Sequence, residues 1–378
     1  MRILIRNGLV YDSRDRVFLP GTVLVADDRI SDVWWSDVTA PCDQEVDADG
    51  RYVMPGLVDV HTHGRNGFDF ATAKSEHIFH MARCYAESGV TTVVPTLASA
   101  KPDEWLAAIE RLNPFCHGGQ GACLAGVHLE GRYLNPAKRG AHAPELLADL
   151  DADELASFLC KIEGVKHVTF APELDKDGEF LRKTLSLGAT VGIGHTAATY
   201  EETETALAGG ATVMTHLFNA MPTLHHREGG AVAAGLLSEK TYCELICDGL
   251  HVSPEMVRMA WRLKRDKLVL VTDSMEATGC PDGRYSIAGV PVVVENGRAQ
   301  TVDGVLAGST LSLWQGVLNL TEYADISLGE ALYCATYAPA AAYGLVGEIG
   351  SVDAGKRADL LIATEVSVER VMCCGNWI

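Results

Sequence analysis

From Leu57 onward the chain alternates short apolar runs with helical stretches, and few architectures accept that order. The runs are "LVDVHTH", "VTTVVPT", "CLAGVHLE", "HVTFAPE", "TVGIGHT", "TVMTHLF", "CELICDG" and "KLVLVTD". An apolar run without strict polar alternation is a strand covered on both faces, and intervening helices make such strands parallel. About eight strand–helix units close into a barrel, so the expected fold class is α/β, a (β/α)8 barrel. The helical stretches carry their own signals. "SEHIFHMARCYAES" ends at Gly89, and "SPEMVRMAWRLKR" has Ser253 in the cap position with Pro254 as first helical residue.

The two ends of the chain read differently. Residues 1–50 hold strand-like segments and turn pairs such as "NG" and "DD", with little helical period, and "GEIGSVDAGKRADLLIATEVSVERVMCCGNWI" returns to that pattern. The expected organisation is a small β-sandwich domain built from 1–50 and 351–378, with the barrel catalytic domain, 51–350, inserted in it.

Composition narrows the partners. A formal charge of −19 with no lysine or arginine stripe repels a phosphate backbone, so no nucleic acid is expected. No apolar run is long enough to span a bilayer, and no membrane partner is expected. The N-terminal segment lacks the pattern of a secretory leader. Eleven cysteines, an odd number without regular spacing, argue for a reducing, cytoplasmic setting.

The ends of the expected strands carry a consistent set of polar residues. The first run ends at His61 and His63, the third at Glu130, the fifth at His195, the sixth at His216 and the last at Asp273. Side chains alternate along a strand, so His61 and His63 face the same way, as a chelating pair must. A single buried histidine is more often structural than a ligand. Six nitrogen and oxygen donors at the same place on five strands point instead to a metal at the C-terminal mouth of a barrel, where such folds build their active sites. Zinc suits this donor set, with iron(II) or another divalent ion open, at one or two per chain.

At these residues the chain resembles a known family. "PGLVDVHTHG" is similar to the entry motif of the amidohydrolase superfamily. "HLEGRYLNPAKRGAH", "GHTAATYEE", "THLFNAMPTLHHREGG", "DGLHV", "LVTDSMEATG" and "GVLAGSTLSL" together resemble the N-acetylglucosamine-6-phosphate deacetylases. The resemblance implies a TIM-like barrel with a small β-sandwich, a homodimer, and hydrolysis of the acetamide of a phosphorylated amino sugar to amine and acetate in amino-sugar catabolism. It implies that Glu130, His195 and His216 hold the principal metal, with a second between His61, His63 and Glu130 and with Asp273 near. It gives Asp273 the role of proton relay and His142 that of substrate binding and carbonyl polarisation. Ala141, Asn219, Ala220, Asp248, Gly249, Leu250, His251, Leu306, Ala307 and Gly308 fall where the family touches the sugar. Arg227 matches an arginine that reaches the phosphate from the neighbouring subunit, a contact suited to its planar fork.

Departures from the family pattern bear on the substrate. Arg132 stands where many members have proline, and Gly229 where they have proline after "HRE". Arg132 adds a second cation near the site or turns into solvent, while Arg65, Asn66, Lys138 and Arg139 are further polar residues that either reshape the pocket or sit solvated, as charged loops usually do. A changed rim opens the galactosamine or mannosamine epimer as alternative substrates. A non-catalytic sugar-phosphate sensor on the same scaffold could dispense with Asp273 but would keep Arg227.

Overall fold

The computed structural model describes residues 1–116, 118 and 121–378. Eight parallel strands form the barrel: β1 (Leu57–Thr62), β2 (Val90–Leu97), β3 (Gly126–Glu130), β4 (Val165–Phe170), β5 (Thr190–Ile193), β6 (Val213–Met214), β7 (Tyr242–Ile246) and β8 (Leu268–Val271). Each is followed by one principal helix: α1 (Ser75–Glu87), α2 (Pro102–Leu112), α3 (Ala152–Leu159), α4 (Glu179–Ser186), α5 (Tyr200–Ala208), α6 (Gly230–Leu237), α7 (Pro254–Lys264) and α8 (Leu313–Ala324). β2 is buried at every residue, which is why its sequence shows no polar face. The ring closes near its mouth, where Thr62 bridges Ser274 and the Asp273 N–H donates to His61 O at 2.9 Å.

The helices start where local chemistry dictates. Thr199 and Glu202 form a reciprocal capping box at α5, and the Asp151 carboxylate accepts two backbone N–H groups at α3. Pro254 opens α7 as expected, although Ser253 makes no side-chain cap bond there. The main core packs the outer face of the barrel against these helices, with Trp105, Phe158 and Trp261 among its largest members.

Strands from both chain ends share one mixed sheet. Arg2–Asp12 pairs with Val17–Ala26 and, in parallel, with Tyr52–Pro55, which in turn pairs antiparallel with Leu360–Ala363. The sheet has its own core, including Ile3, Val23, Val53, Leu360 and Met372. After β8 comes a small antiparallel sheet, Gly283–Ile287, Val290–Glu295 and Arg298–Thr301, that the sequence reading did not anticipate. Its apolar face gathers Met275, Ile287, Val292 and Ala307 beside the barrel mouth.

Candidate active site

Parallel pairing brings all eight C-terminal ends to one side, and register sets their height. Ile193 pairs with Met214, so His195 stands level with His216 two residues further on. His195, His216 and Asp273 each have positive φ, 49°, 31° and 48°. Non-glycine residues rarely adopt that conformation, and its repetition just past three strand ends shows a backbone held there by its surroundings.

The six candidate ligands form two triads whose donor atoms lie within 4.8 Å of one another: Glu130, His195 and His216 in one, His61, His63 and Asp273 in the other. In the first, Glu130 Oε1 lies 3.2 Å from His195 Nε2 and 3.0 Å from His216 Nε2, and the two nitrogens are 2.9 Å apart. In the second, His63 Nε2 is 3.2 Å from Asp273 Oδ1, and His61 Nε2 is 3.6 Å from it. Glu130 joins the triads, because its other oxygen, Oε2, faces His63 Nε2 at 3.2 Å and His61 Nε2 at 3.4 Å.

These donors fit a divalent cation. His195 Nδ1 donates to Lys138 O at 2.9 Å, and a carbonyl only accepts, so a neutral His195 presents a bare Nε2. His61 Nδ1 likewise faces the Glu244 carboxylate at 2.9 Å, and His61 Nε2 has no hydrogen-bond partner among the described residues. Lone pairs converging at such distances repel unless a positive charge sits between them. Imidazole held by a carbonyl or carboxylate at its far nitrogen is the usual posture of a metal ligand.

Electrostatics agrees with geometry. Burial opposes charge on His61, but the carboxylates of Glu130, Glu244 and Asp273 outweigh it and raise its pKa well above the ordinary value. Burial likewise opposes charge on His63, and hydrogen bonds to Asp273 and Glu130 overcome it, lifting its pKa to about 9. Glu130 is held well below the usual carboxylate range, because the charge on His61 and the close contacts of the His195 and His216 rings outweigh its burial. The same is true of Asp273, held down by His61 and His63 against its burial. A pocket that favours positive charge this strongly favours a cation.

His142 differs from the ligands. Its Nδ1 accepts from the Ser99 hydroxyl at 2.9 Å and faces the Ser99 backbone N–H at 3.3 Å, so the proton of the neutral ring sits on Nε2, which lies 3.9 Å from Glu130 Oε2. Burial and the neighbouring His195 push its pKa down to about 3, which keeps the ring neutral. Ser99 is placed by Gly131, where φ is 156° and a Cβ would lie 2.4 Å from Ser99 N.

The site opens into a cavity of about 480 Å³. Of the residues expected at substrate, Ala141, His142, Asn219, Ala220, His251, Leu306, Ala307 and Gly308 line it, together with His63, Glu130, His195, His216 and Asp273. Asp248 is not in the lining but supports it. Its Oδ2 accepts from His251 Nδ1 at 2.7 Å, and its Oδ1 accepts the backbone N–H groups of Leu250 and His251. Gly249 and Leu250 lie outside the lining, and Leu250 is exposed. Arg227 is exposed too, with its guanidinium 2.8 Å from His226 Nε2, and this chain does not bring it to its own cavity. A cavity of equal volume, about 480 Å³, between α4 and α5 contains none of these groups.

The charged loop residues divide. Arg132 neither enters the site nor turns into solvent: its guanidinium grips both oxygens of Glu154 at 2.7 and 2.9 Å and donates to Ala100 O. Its backbone N–H donates to Ser99 Oγ, the hydroxyl that orients His142. For Lys138 and Arg139 the structure favours the pocket over solvent. Both line the cavity, with Lys138 Nζ on Met221 O and Arg139 on His142 O. Arg65 lies over the Tyr85 ring and bonds Asn66 and Ser88. Gly229 opens α6 where a Cβ would meet that of Ala233 at 2.6 Å. Sequence reasoning missed Glu244, Ser99 and the cavity residue Ile287. A charged residue inside the apolar run "CELIC" was the one available signal.

A barrel with this mouth of histidines and carboxylates defines a class of metal-dependent hydrolases, and the chain belongs to the amidohydrolase family, whose pattern it matches over residues 52–378. Within it, the chain is 36% identical over 315 residues to an N-acetylgalactosamine-6-phosphate deacetylase of Escherichia coli O157:H7, covering 83% of this chain and 84% of that protein. It is 35% identical over 329 residues to an N-acetylglucosamine-6-phosphate deacetylase of Vibrio furnissii, at 86% and 82% coverage. The crystal structure of N-acetylglucosamine-6-phosphate deacetylase from Pasteurella multocida superposes with a TM-score of 0.94 at 28% identity, covering 100% of both chains. That of the Mycobacterium smegmatis enzyme superposes at 0.91 and 32%, also covering 100% of both.

Proposed function

We propose that this chain hydrolyses the acetamide of N-acetyl-D-glucosamine 6-phosphate to glucosamine 6-phosphate and acetate. The observation that carries the reading is the pair of triads sharing Glu130 at the wall of a sugar-sized cavity. Relatives of both epimeric specificities match over most of the chain, so the galactosamine epimer is the second reading.

A divalent cation held by Glu130, His195 and His216, and a second held by His61, His63 and Asp273, would supply Lewis acidity and lower the pKa of water toward neutrality. Zinc fits the nitrogen and carboxylate donors, and iron(II) is the nearest competitor. Asp273, ionised at the cavity edge, takes the proton of the attacking water and delivers it to the amine nitrogen as the C–N bond breaks. His142 presents Nε2–H to the carbonyl oxygen and stabilises the negative charge that develops there. Asn219, Ala220, His251 and the Leu306–Gly308 turn hold the sugar. Arg227 serves the phosphate of a neighbouring copy in a homodimer, which accounts for its standing outside its own cavity. The eleven free thiols suit a cytoplasmic enzyme.

The test is acetate release from the 6-phosphates of N-acetylglucosamine, N-acetylgalactosamine and N-acetylmannosamine, with and without a chelator. The expected result is fastest turnover of the gluco epimer, abolished by chelation. A galacto preference would replace the first reading with the second, and turnover indifferent to chelation would remove the metal.

A further inference from the structure

Glu244 is a carboxylate at the centre of the barrel with no part in the reaction described above. It lies on β7, is wholly buried, and contacts one residue of each triad. Taking a carboxylate out of water costs several kcal/mol unless donors replace the solvent. Three do. Oε2 accepts the His216 backbone N–H at 3.2 Å and faces His61 Nδ1 at 2.9 Å, while Oε1 accepts the Tyr343 hydroxyl.

The contacts are unequal in what they accomplish. The His216 contact engages backbone alone and leaves that ring free, whereas the His61 contact engages the ring itself. An ionised carboxylate only accepts, so the proton of a neutral His61 is confined to Nδ1 and the Nε2 lone pair faces Glu130 and Asp273. The partner of His195 in the other triad is a neutral carbonyl, Lys138 O, and so lends orientation without a full charge. Tyr343, itself packed against the His167 ring at 4.8 Å, pins the far side of the carboxylate.

We propose that Glu244 is a positioning residue that makes the His61, His63 and Asp273 triad a tight metal site, by fixing the tautomer and orientation of His61 and by placing one buried negative charge beside the cation. This rests on the two-metal reading of the proposed function. Glu244 touches neither substrate nor the reacting atoms. It acts on one triad through His61, and the other triad keeps its own support from Lys138 O.

The experiment is a Co2+ titration of chelator-stripped wild-type, Glu244→Gln and Glu244→Ala proteins, read by visible absorption and by elemental analysis. Glutamine keeps an oxygen for His61 and the His216 amide and loses only the charge; alanine loses both. The expected outcome is two ions in the wild type, with affinity for one of them falling about tenfold in Glu244→Gln and about a hundredfold in Glu244→Ala. The other ion keeps its affinity in Glu244→Gln. Thermal unfolding of the metal-free proteins checks that they are folded, and the near-isosteric Glu244→Gln carries the test if the alanine variant is not. Two ions with unchanged affinities in Glu244→Gln, or equal losses at both sites, overturn the positioning role and leave the two-metal reading standing. A single ion in the wild type removes the second site, and the proposal with it.

Discussion

The two triads at the barrel mouth share a carboxylate yet are built in different ways. His61 and the neighbouring His63 belong to the end of β1, where ordinary strand alternation points both inward, and only Asp273 arrives from another strand. Glu130, His195 and His216 come from three strands, and both histidines turn inward through left-handed backbone. Their supports differ as well, a buried carboxylate behind His61 and a loop carbonyl behind His195. A regular strand can present a chelating pair without strain, whereas gathering donors from separate strands requires each chain turn to be held by its surroundings.

Three substitutions probe this comparison. Glu130→Gln should break it altogether, because each oxygen faces a different triad. Elemental analysis should then show loss of both ions. Losing a Lewis acid worth several kcal/mol should lower kcat/KM by on the order of 10³–10⁴-fold. Retention of one ion would mean that one oxygen serves no cation.

Asp273→Asn should separate chemistry from metal binding. The ion at Glu130, His195 and His216 should remain while kcat falls by roughly 10²–10⁴-fold, the value of a positioned proton carrier. Near-normal turnover in single-turnover kinetics would take Asp273 out of the relay. The smallest effect belongs to the frame around the triads. Arg132→Ala removes charge-assisted bonds to Glu154 and should lower stability by about 2 kcal/mol in denaturant unfolding, with metal content unchanged. Loss of metal in that variant would show that Arg132 supports the ligands themselves.

Much of this was legible before any coordinates. The eight apolar runs correspond to eight strands, because a strand covered on both faces cannot carry an alternating pattern. The six donors were legible because parallel strands put like ends together. Arg132 was misread, and for Lys138 and Arg139 the choice between pocket and solvent stayed open, since a cation in a loop looks the same on paper whether water or protein surrounds it. The sheet of Gly283–Ile287 and its neighbours was overlooked within a segment assigned to the barrel.

The order of residues by itself determined a parallel barrel with histidines and carboxylates at one mouth, because burial and side-chain period are properties of local sequence. Only the tertiary structure decided which oxygen of Glu130 faces each triad, that Ser99 leaves the His142 proton facing the cavity, and that Glu244 stands behind His61. Those choices depend on angles and distances of a few ångströms between residues as many as 183 positions apart, and no local pattern encodes them.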